Sequence, residues 1–211
     1  MTRTLLPLTL AEGKEAVLLA REVVEDHVRG RRPGRARNLP PVFSEKRGVF
    51  VTLNTLQHGA KYLRGCIGYS EPIKPLAEAI RAVAVYASED ERFPHPVLPE
   101  ELDSIVVEVS VLTLPTELRA PKRTDLPSKI RLGVDGVIVS NRFTSGLFLP
   151  QVATEQGWDQ LTYLSEACMK AGLPPDAWLD PGTSVEVFQA EIFGEEEPRG
   201  KVARTEAETS N

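Results

Sequence analysis

In the segment Leu63-Arg64-Gly65-Cys66-Ile67-Gly68 a guanidinium stands two residues from a thiol, with glycines interrupting the apolar run. A nearby cation favours the thiolate, which is the nucleophilic form of cysteine. Period-two alternation puts Arg64 and Cys66 on one face of a strand and Leu63, Gly65 and Ile67 on the other, unless a bulge intervenes. The competing account is that Cys66 is a small buried hydrophobe, the commoner fate of a free cysteine. Glu108 is the second chemically unusual residue, a carboxylate within the valine-rich run Val106–Leu112. It must be solvated, paired or raised in pKa. Either its strand has one wet face, as antiparallel sheets commonly do, or Glu108 pairs with Arg64 from a neighbouring strand.

The histidines have no metal-site spacing. His27 falls at the rim of a helical apolar stripe, and His58 lies in the turn Gln57-His58-Gly59. His95, between Pro94 and Pro96, is the one that could reach Cys66 as a thiol–imidazole dyad. Cys168 sits on a helical core face and reads as structural. No Walker loop, dinucleotide fingerprint, HExxH or serine elbow is present, so no cofactor and no metal are expected.

The elements that would position these residues follow from periodicity. Thr9 and Glu12 have capping-box spacing, and apolar residues at Ala16, Val17, Ala20, Val23, Val24 and Val28 give a helix over roughly 10–29. Val42–Gly48 and Val49–Leu56 read as a hairpin, and Lys61–Ser70 as a glycine-broken strand. Pro75–Ser88 reads as a second helix and Asp90–Pro99 as a proline-rich loop. Asp103–Leu114 alternates clearly, with Ile105, Val107, Val109 and Val111 on one face. Lys129–Val139, Phe143–Leu149 and Thr183–Phe193 are further strands, with a helix around Leu161–Cys168 between the last two. Helices separated by groups of strands argue for an α+β fold with a largely antiparallel sheet flanked by helices. The expected domain spans 1–193, and Gly194–Asn211, with five glutamates, three basic residues and no aromatics, reads as a disordered polar tail.

Composition narrows the function classes. The 211 residues are 41% hydrophobic and 26% charged, ordinary globular usage. No apolar stretch approaches the 18 or so residues of a membrane span, and Met1–Leu10 lacks the form of a secretory signal. Two cysteines are too few for a disulfide framework and suit a reducing cytoplasm. The net charge of −5 argues against general nucleic-acid binding. The exception is local: Arg29-Gly-Arg31-Arg32-Pro-Gly-Arg35-Ala-Arg37 packs five arginines into nine residues. It lacks interleaved aromatics, so a solvated loop competes with a phosphate-binding one.

Arg47-Gly-Val-Phe-Val-Thr52, Leu63-Arg-Gly-Cys-Ile-Gly68, Asp90-Glu-Arg-Phe93 and Glu108-Val-Ser-Val-Leu112 are followed by Leu149-Pro-Gln-Val152, Trp158 and Lys170-Ala-Gly-Leu173. In this order the blocks resemble the AMMECR family over roughly residues 10–193. The resemblance implies an α+β fold with a smaller lobe and a groove between lobes, and no established activity. It also implies a functional link to Memo-like and radical-SAM proteins, and hence a small-molecule or protein-modification pathway. The family's motif positions fall here on Arg64, Gly65, Cys66, Gly68, Asp90, Arg92, Phe93, Glu108, Ser110, Pro150 and Gln151. His95 departs from the family pattern, which weakens a Cys66–His95 dyad. The resulting expectation is a small-molecule or partner-binding groove bordered by Arg64, Cys66, Asp90, Arg92, Glu108, Ser110 and Gln151, with Gly65 and Gly68 in its walls. The alternatives are a cysteine-dependent enzyme using Cys66 and a nucleic-acid-associated protein using the Arg29–Arg37 loop.

Overall fold

The computed structural model describes residues 7–32 and 38–205, and the chain divides into two compact units. Of these residues, the first unit comprises those up to Leu112 together with 191–205, and the second comprises Thr113–Ala190. The fold is α+β, and the strand pairs are antiparallel, within a five-stranded and a four-stranded sheet.

In the first unit, α1 (Leu10–Val28) starts at the expected capping box: Glu12 N–H donates to Thr9 Oγ1, and Thr9 N–H to the Glu12 carboxylate. β1 (Val49–Gln57) and β2 (Ala60–Tyr69) form a hairpin across His58 and Gly59, both at positive φ (51° and 80°). Two consecutive positive φ values are what a tight two-residue hairpin turn requires. α2 (Leu76–Ser88) follows, then β3 (Ile105–Leu112), and the sheet is completed by β8 (Ala190–Glu195) and β9 (Val202–Thr205) in the order β2-β1-β3-β8-β9. One sheet face is apolar: Val49, Val51, Leu53, Val107, Val109 and Val111 are fully buried in a core with Ala16, Val17, Ala20, Ile80, Val83 and Ala84 of the two helices.

The second unit holds β4 (Thr116–Glu117), β5 (Gly136–Ser140), β6 (Ser145–Phe148), α3 (Pro150–Gln156), α4 (Gln160–Lys170) and β7 (Ser184–Phe188), with strand order β4-β7-β5-β6. Its separate core contains Val137, Val139, Tyr163, Leu164, Cys168 and Trp178.

Several sequence expectations need correction. Val42–Gly48 is not a strand: Pro41–Ser44 is a 3-10 turn, and the hairpin partner of β1 is β2. Pro41 lacks an N–H, which suits a helical first turn and not a ladder. Lys129–Val139 is extended only from Gly136, because Asp135 folds the chain back by accepting from the Arg131 backbone and guanidinium. Thr183–Phe193 is two strands in different sheets, parted at Gln189, whose N–H bonds Thr113 Oγ1. The largest correction concerns the C-terminus. Gly194–Thr205 is no disordered tail but contributes to the β8–β9 hairpin at the edge of the first sheet. Charge hid it: Glu195 is only 2% exposed, and its carboxylate binds Arg21 and the Val107 N–H.

Candidate functional site

β2 carries a bulge at the centre of the Arg-Gly-Cys segment. Leu53 faces Gly65 and Asn54 faces Leu63, so Arg64 is the extra residue. Leu63 and Cys66 therefore lie opposite Asn54 and Thr52, which share a face of β1. The expectation that Arg64 and Cys66 share a strand face fails, because the bulge resets the alternation between them. Glycine is required at 65: a Cβ there would lie 2.0 Å from the Ala87 carbonyl oxygen at the end of α2.

Arg64 points to the segment between α2 and β3. Its Nε and Nη2 donate to the two Glu101 carboxylate oxygens at 2.7 and 3.1 Å, Nη2 also donates to the His95 carbonyl at 3.0 Å, and the guanidinium lies 5.4 Å from the Phe93 ring centre. Burial pushes the Glu101 carboxyl up, but hydrogen bonds from Arg64 and the Leu98 N–H outweigh it and hold the carboxyl below its ordinary value. The expected Arg64–Glu108 pair is replaced by Arg64–Glu101. The Cys66–His95 dyad is replaced as well. His95 Nδ1 lies 2.8 Å from the Pro96 carbonyl and 3.3 Å from Arg64 Nη2, while the Cys66 thiol accepts from Thr52 Oγ1 at 3.3 Å.

β2 is an edge strand, and at Cys66 its outward backbone groups are capped by side chains. Asp90 Oδ2 accepts the Cys66 N–H at 2.9 Å, and Arg92 Nη2 donates to the Cys66 carbonyl at 2.8 Å. The two side chains also bind each other, through Arg92 Nε to Asp90 Oδ1 at 3.0 Å and Nη2 to Oδ2 at 2.6 Å. The Arg92 hydrogen bond, helped by the Cys66 and Arg92 N–H groups and opposed by burial, pulls the Asp90 carboxyl down to about 2. The clamp occupies ladder groups that an edge strand would otherwise offer to another strand.

On the face of the sheet opposite the helices, Thr52 is in register with Cys66 on one side and Glu108 on the other. One step along, Phe50 lies between Gly68 and Ser110. Gly68 lets that ring lie down, since a Cβ there would sit 2.3 Å from it. The Glu108 side chain leans over Gly194 of β8. Thr52, Cys66, Glu108 and Ser110 are all half-buried. Arg64, Gly65, Cys66, Gly68, Asp90, Arg92, Glu108 and Ser110 thus belong to the first unit, on or beside the adjacent strands β2, β1 and β3. Gln151 belongs to the second, in the first turn of α3. Thr52 and Glu101 are not marked as site residues by their type or spacing. Thr52 had a signal, as the end of the Arg47–Thr52 block; Glu101 had none, because its partner lies 37 positions away.

The remaining sequence candidates are placed as follows. His27 Nε2 lies 2.7 Å from the Glu89 carboxylate, and Cys168 is buried in α4, where desolvation pushes its thiol up. Arg31 and Arg32 are exposed, whereas Arg35 and Arg37 lie outside the described residues. No group of three or more His, Cys, Asp or Glu among the described residues is arranged to hold a metal ion. No described helix is long and apolar enough to cross a membrane.

Comparisons with known proteins agree with this architecture. The chain is 53% identical over 192 residues to a Methanothermobacter thermautotrophicus protein, covering 90% of this chain and 97% of that one. It is also 53% identical over 195 residues to one from Thermococcus gammatolerans, covering 91% and 94%. The crystal structure of the uncharacterised protein PH0010 from Pyrococcus horikoshii superposes with a TM-score of 0.73 at 48% identity, covering 93% of this chain and 97% of that one. The AMMECR1 family model matches residues 17–193. With the family's motif blocks in order along both units, the chain belongs to the AMMECR1 family.

Proposed function

We propose that the face of the first sheet carrying Cys66, Thr52, Glu108 and Ser110 is a non-covalent binding surface for a small polar ligand. The observation that carries this reading is the row Cys66–Thr52–Glu108, in register across three adjacent strands. It sets a thiol, a hydroxyl and a carboxylate side by side on a rigid support, with Ser110 one step away. Convergent polar groups on such a scaffold are the usual mark of recognition. Asp90 and Arg92 act in this reading by fixing the Cys66 backbone, Arg64 and Gly65 by setting the bulge, and Gly68 by admitting the Phe50 ring. Memo-like and radical-SAM proteins, as functional partners, are a further part of the proposal. The free thiols of Cys66 and Cys168 suit a reducing cytoplasm.

A binding role is favoured over a cysteine nucleophile because the hydrogen bond to Cys66 Sγ comes from a neutral hydroxyl, and the neighbouring Arg92 guanidinium is engaged by the Cys66 carbonyl and Asp90, whereas thiol catalysis draws on a base or cation directed at the sulfur. The test is a metabolite screen by thermal shift on the purified protein, alone and with the Memo-like and radical-SAM proteins. A true hit is lost in Glu108→Gln and Ser110→Ala at a temperature where each variant is fully folded, and it survives Cys66→Ser with affinity reduced less than about tenfold, one neutral hydrogen bond's worth. Alkylation of Cys66 by iodoacetamide near neutral pH is expected to be slower than that of free cysteine. Fast alkylation, with turnover abolished by Cys66→Ser, would transfer the assignment to a thiol enzyme.

A further inference from the structure

The second unit contains a cleft of about 790 Å³ that the reading above does not use. One wall is the β5–β6 turn, with Asn141, Arg142 and Phe143; the other is the segment from Leu173 through Thr183, including Pro174, Asp176, Leu179 and Asp180. Phe143 is 89% exposed, the most exposed large apolar side chain among the described residues. Its position is built and not incidental. Asn141 Oδ1 accepts from the Phe143 N–H at 2.8 Å and the Thr144 N–H at 2.9 Å, which locks the turn that holds the ring out. Opposite it, Leu179 is 41% exposed in a 3-10 turn anchored by the buried Trp178. The Asp180 carboxylate is fixed by the Gly182 N–H at 2.8 Å.

We propose that this cleft binds a small amphipathic organic cation, an aromatic or branched aliphatic amine. The volume lies within the usual range of small-molecule sites, roughly 300–1,000 Å³. Phe143, Leu173, Pro174 and Leu179 supply apolar surface for the body of such a molecule. Asp176 and Asp180 against Arg142 leave the lining with a net negative charge, which selects an ammonium over a carboxylate head group. The face of the Phe143 ring favours the same sign, through attraction between a cation and the ring quadrupole.

The probe is tryptamine, with indole-3-propionate as an anion sharing its ring system, and titrations are followed by ligand-observed NMR and calorimetry on the full chain. Saturable binding of tryptamine is expected, with indole-3-propionate at least about fivefold weaker. Phe143→Ala should reduce tryptamine affinity about three- to tenfold, the loss of one aromatic contact. Phe143 is exposed, so this variant should fold and melt as the parent does. Asp176→Asn with Asp180→Asn should erase the preference for the cation while leaving the indole contact, since asparagine can keep the hydrogen bond to Gly182. Equal binding of cation and anion, or unchanged affinity in Phe143→Ala, would overturn the proposal. So would binding of a Lys-Trp-containing pentapeptide with none of the free amine, which would make the cleft a peptide site.

Discussion

At the β2 edge and at the C-terminal hairpin the protein uses the same device in two settings. In each, a carboxylate accepts a strand N–H and binds a guanidinium. Asp90 takes the Cys66 N–H and Arg92; Glu195 takes the Val107 N–H at 2.9 Å and Arg21 Nε at 3.0 Å. The settings differ in water and in chain separation. At the edge the Asp90 side chain is 2% exposed but Arg92 is 60% exposed, so the guanidinium keeps much of its hydration. At the hairpin both side chains are dry, 1% for Glu195 and 7% for Arg21, and Arg21 also donates to the Ile105 carbonyl at 2.6 Å. Removing one partner from a dry pair leaves a charge without solvent, whereas at the half-wet pair water can take the missing place.

The largest predicted effect follows from that contrast. Glu195→Ala should destabilise the protein by about 3–5 kcal/mol, the range for breaking a buried pair, as read from urea unfolding. Truncation after Phe193 should cost at least as much, because it also removes β9 and the buried Val202. Replacing both members, with Arg21→Met and Glu195→Leu, should recover only part of the loss, since an apolar pair removes the unpaired buried charge but leaves the buried Val107 N–H without its carboxylate acceptor. A single-variant loss below about 1 kcal/mol, the surface-pair range, would show that the hairpin pair is wet after all and would abolish the distinction.

The same contrast explains what could be read from the sequence. The Asp90–Arg92 clamp is local, an i, i+2 pair inside a recognisable block, and Asp90 and Arg92 were both singled out. The α1 capping box and the alternation of β3 were legible for the same reason, since each depends on residues within a few positions. Arg21 and Glu195 are 174 positions apart, and a glutamate among glutamates carries no mark of its burial. Composition therefore made a tail of a strand. The bulge at Arg64 was illegible in another way. Register belongs to a pair of strands, and Gly65 signalled an irregularity without saying which residue would be left over. Once Arg64 leaves the face of Cys66, its partner becomes Glu101, which no spacing rule could select.

A second, smaller effect depends on pH. The Asp90 carboxyl is held near 2, below the ordinary value of 3.8. A depressed carboxyl stabilises the fold above its unfolded pKa, and that stabilisation is lost as pH falls through the folded pKa. The window is therefore about pH 4 down to about pH 2. With Arg92 largely solvated, the discounted contribution is about 1–2 kcal/mol. Asp90→Asn keeps an oxygen for the Cys66 N–H but loses the charge. It should be less stable than the parent by about that amount at neutral pH, and the two unfolding curves should converge toward pH 2. A gap that persists undiminished at pH 2 would assign the stabilisation to shape and not to charge.

The smallest effect distinguishes local from global opening. Arg92→Lys preserves the positive charge but replaces a planar fork with a single ammonium. One lysine cannot reproduce the paired bonds to Asp90 together with the bond to the Cys66 carbonyl. Global stability should fall by only about 0.5–1 kcal/mol, as for a solvated pair. The amide of Cys66, bonded to Asp90 at the open edge of the sheet, should nevertheless exchange about tenfold faster, because its protection depends on local opening. Amides of β3, interior to the sheet, should change only in proportion to the small global loss. Glu195→Ala should do the reverse and speed core amides together through whole-unit unfolding. If Arg92→Lys instead accelerates β3 and Cys66 alike, the clamp is coupled to the core as tightly as the dry pair is, and exposure of one partner is no guide to how far its loss is felt.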